Sequence, residues 1–211
     1  MRTNDPKVGE IISGRTARLY DWSQRLNGAF SAYQRIVNLV SLKLDDKVLD
    51  IGCGTGIVLS RLHARYGSSI ELHGIDPSED MIAIAKQKRG EGIDFQVGFA
   101  QTLKFSDDSL DWIICSLTTH HISTDIRKEM FREIIRVLRP GSKLLISDFY
   151  SPESFVGRII FQIWMRHHAY ISQIIEISNE RMLKEAGLKI EKIEMQKPLS
   201  LIQHILAVKP I

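Results

Sequence analysis

The sequence predicts a three-layer α/β/α fold: a doubly wound, seven-stranded sheet, mostly parallel with an antiparallel last strand. Three observations lead there. Strand-like apolar runs alternate with stretches of helical period, and right-handed crossovers then place helices on both faces of a parallel sheet. The turn after the first run is a glycine cluster, Gly52, Gly54 and Gly56. The last two runs are joined by Lys197-Pro198 and can close antiparallel.

In chain order, a polar leader, MRTNDPKVGEIISG, precedes two helices over Thr16 to Phe30 and Tyr33 to Leu42, separated by Asn27-Gly28. Lys47 to Ile51 is the first strand and Ile57 to Tyr66 the next helix. The pair repeats with Ile70 to Asp76 and then Ser78 to Arg89. In that helix the early Glu79 and Asp80 and the late Lys86, Lys88 and Arg89 complement the dipole. Three further strands follow over Ile93 to Val97, Leu110 to Ser116 and Lys143 to Phe149. Between the last two, Ile126, Met130, Ile134 and Leu138 recur four apart, a helix over Asp125 to Leu138 that Arg139-Pro140-Gly141 stops. The tail adds helices over Phe155 to Met165 and Ser178 to Ala186, and strands over Leu188 to Met195 and Leu201 to Val208.

A chain of 211 residues, 44% hydrophobic, suits one core. The expected organisation is a single domain over 1–211: a helical cap at 1–44, a ligand-binding core at 45–150, and a substrate-side helix with closing strands at 151–211. Twenty-eight Lys and Arg against 25 Asp and Glu leave a scattered formal charge of +3, which announces no nucleic-acid surface. Cys53 and Cys115 lie in core-like segments and form neither a disulfide framework nor a zinc pattern, so a reducing, cytoplasmic location and no metal are expected. The apolar stretch near Phe155 to Met165 is shorter than the ~20 residues that span a bilayer, and the leader has no long apolar run. Neither stable membrane insertion nor a secretion signal is expected.

Chemistry concentrates in Asp50-Ile-Gly-Cys-Gly-Thr-Gly56. Alternating glycines let the backbone bend sharply and let a ligand approach the peptide groups. A dinucleotide fingerprint would place its third glycine at position 57, where Ile57 stands. Asp50 would repel a pyrophosphate and attract an ammonium group. At the end of the second strand, about twenty residues beyond Gly56, Asp76 is placed to accept hydrogen bonds from ribose hydroxyls. Taken alone, the glycines could serve only a tight turn, and Asp76 could cap the following helix.

Val48-Leu-Asp-Ile-Gly-Cys-Gly-Thr-Gly56 resembles the signature of the class I S-adenosylmethionine-dependent methyltransferases, a Rossmann-like family. The resemblance continues through Gly74-Ile-Asp-Pro-Ser78, Ser109-Leu-Asp-Trp-Ile113, His120-His121 and Arg136-Val-Leu-Arg-Pro-Gly141, and Tyr20-Asp21 is similar to a pair in the ubiquinone and menaquinone biosynthesis branch. It implies S-adenosylmethionine as cofactor and S-adenosylhomocysteine as product. It also implies that Asp50 and the Gly52, Cys53, Gly54 and Gly56 backbone hold the methionine end. By the same resemblance Asp76 and Pro77 flank the ribose, Met81 packs on adenine, Ser116, Leu117 and His121 flank the cofactor after the fourth strand, and Tyr20 closes over it. One departure stands out. Where relatives carry an aspartate that bonds the adenine amine, this chain has Gly98-Phe99-Ala100-Gln101, so either Phe99 stacks while Gln101 or a backbone carbonyl takes the amine, or cofactor binding is weakened.

Methyl transfer chiefly needs alignment and exclusion of water, with a base only when the acceptor must lose a proton. His120 and His121 are the candidate catalytic residues, the plainer alternative being one packed and one solvent-facing imidazole. The stripe Phe155, Val156, Ile159, Ile160, Ile163 and Trp164, followed by His167-His168, is either core packing or an acceptor lid. The expected partner is a small-molecule or lipid-like acceptor rather than nucleic acid, and the sequence leaves a homodimer open. The alternative function is a non-catalytic S-adenosylmethionine-binding regulator or subunit. A nucleotide-dependent oxidoreductase is argued against by Ile57 and Asp50.

Overall fold

Alternation along two central strands divides the core between the two faces of one sheet. In β3 (Lys47–Ile51) Val48 packs on one side, and Leu49 and Ile51 on the other. In β6 (Leu110–Ser116) Trp112 and Ile114 pack on the first side, Ile113 and Cys115 on the second. Strands greasy on both faces are what a parallel sheet covered by two helical layers requires. The computed structural model describes residues 2–5, 9–14, 17, 21, 29–150, 178–195 and 202–211, with backbone alone for 2–5, 9–11 and 29. The expected helix over Phe155 to Met165, with His167 and His168, lies outside the described residues, as does Tyr20.

The N-terminal strands β1 (Arg2–Asp5) and β2 (Gly9–Ile12) form an antiparallel hairpin, Arg2 opposite Ile12 and Asp5 opposite Gly9. This corrects the polar leader. A hairpin with strands of only four residues is too short to show a clear period-two pattern and is marginal without something to dock on. The Ser78 hydroxyl donates to the Ile12 carbonyl (2.6 Å), and the Gly14 amide donates to the Asp80 carboxylate (2.7 Å). Helix α1 (Ala29–Leu39) starts before Phe30 and stops short of Leu42, so the expected break between two helices does not fall at residues 31–32.

The remaining elements follow the expected order: α2 (Ile57–Tyr66), β4 (Glu71–Asp76), α3 (Glu79–Arg89), β5 (Asp94–Val97), β6, α4 (Thr124–Val137), β7 (Leu138–Phe149), α5 (Asn179–Glu185), β8 (Lys189–Met195) and β9 (Ile202–Val208). Strand β7 is longer than the expected Lys143 to Phe149. Leu138 already pairs with Leu110 across an irregularity, so Arg139-Pro140-Gly141 ends the helix but not the chain's pairing. The sheet order is β5-β4-β3-β6-β7-β9-β8, with β9 antiparallel to both neighbours. The winding reverses between β3 and β6. In such sheets ligands bind outside the carboxyl ends of the strands at that reversal.

Candidate cofactor and active site

The turn after β3 sits at the reversal point and is stitched to β4. The amides of Gly52 and Cys53 both donate to the Ile75 carbonyl, at 2.8 and 3.0 Å. Its shape requires glycine at two positions in particular. At Gly52 (φ +71) a Cβ would lie 2.4 Å from the Thr118 side chain, and at Gly56 (φ +81) it would lie 2.4 Å from the buried Phe95 ring. Left-handed backbone and contact this close together admit no larger residue without displacement.

Two carboxylates flank the turn. Asp50 is wholly buried, and neither of its oxygens has a hydrogen-bond partner among the described residues. Burial, with the nearby Asp76 carboxylate adding to it, holds its pKa well above the ordinary range. Asp76 accepts one bond per oxygen, from the Gly54 amide (3.0 Å) and the Ser78 amide (2.9 Å). Burial raises it to about 6 against those two bonds. Asp76 does not cap α3. Ser78 does, its hydroxyl accepting from the Met81 amide at 3.2 Å.

Above these groups opens a cavity that takes in about 720 Å³ when the space continuous with solvent is counted. Its floor is Gly52, Gly54 and Asp76, with Pro77 and Met81 from the start of α3. Phe99, Ala100 and Gln101 form one wall; Leu117 and His121 form another. Ten expected site residues are thereby brought together around one space. Asp50, Cys53, Gly56, Ser116 and His120 do not line it. Asp50 lies beneath the turn, Gly56 packs on Phe95, and Cys53 is buried with its thiol pushed up in pKa, first by burial. Ile12, Ile51, Ile75, Gly98, Thr118 and Ile122 line it unforeseen. Thr118 was within reach of sequence reasoning, being the residue after Leu117, whereas Ile12 arrives through the docked hairpin.

The histidine pair occupies a short 3-10 turn, Thr119–His121. His120 is buried and its Nδ1 faces Asp148 Oδ1 at 2.5 Å. Asp148, at the end of β7, also accepts from the Thr118 amide (3.1 Å), the Thr119 hydroxyl (2.6 Å), the His120 amide (3.2 Å) and the Phe149 amide (2.7 Å). Burial alone would raise its pKa, but the charge and bond of His120 and the other donors outweigh it and hold the carboxyl at about 2. The His120 ring lies 3.9 Å from that of His121, centre to centre, and meets Phe149 edge-on at 4.9 Å. Sequence reasoning missed Asp148, although its place at the carboxyl end of a central strand was a usable signal.

On the other side of the turn, Thr55 donates to the Asp21 carboxylate, which also pairs with Arg89 (2.9 Å) and Lys88 (3.2 Å). Asp21 is thus fastened beside the glycines. Among the described residues no helix is long and apolar enough to cross a membrane, and no cluster of three His, Cys, Asp or Glu could hold a metal.

Comparison with known proteins bears on the family and the fold. Residues 48–141 match the methyltransferase domain family. The ubiquinone/menaquinone biosynthesis C-methyltransferase UbiE of Geotalea daltonii is 30% identical over 166 residues, covering 75% of this chain and 69% of that protein. The uncharacterized methyltransferase YcgJ of Bacillus subtilis is 36% identical over 125 residues, 56% of this chain, and the chain spans only 46% of that relative's length. The crystal structure of YcgJ has the same fold, with a TM-score of 0.65 at 21% identity over 87% of this chain and 99% of that one.

Proposed function

The chain belongs to the class I S-adenosylmethionine-dependent methyltransferases, and on that premise we propose that it moves a methyl group from that cofactor to a small-molecule or lipid-like acceptor by in-line displacement. The observation that carries the cofactor assignment is Asp50, a buried carboxylate with both oxygens unpartnered beneath a glycine turn that opens on the cavity. An isolated buried charge is costly, and a ligand ammonium brought to the turn would offset it.

The other residues fit the rest of the molecule. Asp76 has one donor per oxygen and retains lone pairs for two ribose hydroxyls. Met81 and Phe99 offer apolar surface to a purine, Phe99 by stacking in place of a carboxylate. When bound, S-adenosylmethionine supplies a methyl group already activated on a sulfonium centre. The protein's part is to hold the two reactants in line and keep water away. His121, on the cavity wall, is the candidate proton acceptor, with His120 behind it.

The acceptor class rests on the relative named for ubiquinone and menaquinone biosynthesis and on apolar walls that include Ile12, Leu117 and Ile122. We read the chain as one domain acting in the cytoplasm. Calorimetric titration with S-adenosylmethionine and S-adenosylhomocysteine, with NAD as control, tests the assignment. Asp76→Ala is expected to weaken binding by about 1 to 3 kcal/mol, and unchanged affinity in the folded variant rejects the ribose role. Phe99 favours a second reading, a cofactor-binding subunit without turnover. Tight binding with no methylation across quinone-like and lipid-like acceptors would select it.

A further inference from the structure

Five hydrogen bonds converge on Asp148, all from residues 118–120 or from its own neighbour Phe149. A carboxylate so supplied stays ionised, and it therefore holds the proton-bearing nitrogen of His120 at Nδ1. The His120 ring is confined on two further sides, by His121 at 3.9 Å and by Phe149 at 4.9 Å. Its partner ring, His121, is the one of the two on the cavity wall. A chain of contact thus runs from a fixed buried anion, through an oriented imidazole, to an imidazole facing the ligand space.

We propose that Asp148 is a positioning residue for methyl transfer: through His120 it orients His121 and stabilises the imidazolium that forms when His121 takes a proton from the acceptor. The inference rests on the methyltransferase reading above. In the step, the acceptor atom gains the methyl group and gives up its proton to an imidazole nitrogen of His121. The sulfonium is discharged to a neutral thioether, so one positive charge moves from sulfur to the histidine. The proton then leaves to solvent. Without Asp148 that charge would form against a second imidazole in a partly buried site.

Other ionisable groups set the surrounding field. From α4, Arg127 is buried enough for its pKa to be lowered, with Asp148 opposing that. From β6, Cys115 is raised, by burial first and then by Asp50 and Asp148. Asp50 lies at the end of β3, and Asp76 lines the same cavity as His121. The same cluster reaches α5, because Asn179 donates to the Thr119 hydroxyl (2.9 Å) and Arg127 donates to Asn179 (3.2 Å). A merely structural clamp would use these bonds to hold the turn and would leave the titration of His121 indifferent to the charge on residue 148.

The test is nitrogen-detected NMR of the imidazoles across a pH series in the full chain, wild type and Asp148→Asn, each with and without S-adenosylhomocysteine. In the wild type His120 is expected to carry its proton on Nδ1. In Asp148→Asn the midpoint of His121 is expected to fall by about one pH unit or more, a tenfold loss of proton affinity. A His120 proton on Nε2 in the wild type, or an unmoved His121 midpoint in the folded variant, overturns the proposal. Should Asp148→Asn fail to fold, the wild-type nitrogen spectra still decide, a His120 proton on Nε2 overturning the proposal. Wild-type protein that binds no S-adenosylhomocysteine overturns the methyltransferase reading and this role with it. Normal binding with an unmoved midpoint overturns this role alone.

Discussion

Asp50 and Asp148 stand at the carboxyl ends of two parallel strands, β3 and β7, and both are almost wholly shielded from solvent. Asp148 receives five donors from the protein and its pKa is held at about 2. Asp50 receives none among the described residues, and its pKa is raised. The contrast teaches that burial alone does not decide the state of a carboxylate here; the charge beside it and the supply of donors do. One end of the site is completed by the protein's own donors. The other is left incomplete, and a cationic ligand can complete it.

The largest effect separating the two is on stability. Asp148→Ala strands the buried His120 and the amides of the turn, and is expected to cost about 3–5 kcal/mol in urea unfolding. A cost near zero would erase the comparison. Asp50→Asn breaks no hydrogen bond among the described residues and removes a carboxyl group whose ionisation burial opposes. The ligand-free variant is expected to be within about 1 kcal/mol of wild type or above it, while calorimetry shows S-adenosylhomocysteine bound at least about tenfold more weakly. A large loss of stability would mean that Asp50 already has a partner.

The pH dependence sharpens the same point through opposite signs. Asp76 and Asp50 are raised, so between about pH 4 and 6 the native state keeps protons that the unfolded chain has lost. Ligand-free stability then falls as pH rises, by up to about 1.4 kcal/mol per unit for each group. Asp148 is lowered, so its contribution is present above about pH 4 and is lost as pH falls towards 2. Unfolding midpoints measured across pH 2.5 to 6.5 should therefore pass through a maximum, roughly near pH 4, and Asp50→Asn should flatten the upper limb. A curve rising steadily to pH 6.5 would contradict the assignment. The smallest effect is at Phe149, where replacement by Leu removes the edge-on contact with His120 and is expected to cost about 0.5–1.5 kcal/mol without altering cofactor affinity.

Much of the site was legible because it is written locally. The turn Gly52 to Gly56, Asp76 two residues before the Ser78 cap, and Leu117 after β6 each follow from a short stretch read against strand and helix periods. Ile12 was not legible. Its hairpin has four-residue strands whose docking depends on Ser78 and Asp80, both distant in sequence. Asp148 could be placed on a strand, but four of its five hydrogen bonds come from 28 to 30 residues away, on the turn that carries Thr118, Thr119 and His120.

The sequence by itself therefore determined the order of the seven strands of the main sheet, the glycine turn, the spacing of its two acids and the family they identify. These depend on periodicity, on glycine's access to left-handed backbone and on residues within a few positions of one another. Only the tertiary structure decided which acids are satisfied, which imidazole faces the cavity and how the hairpin closes over it. Hydrogen-bond supply and burial are set by segments that meet in space after distant stretches of chain have packed.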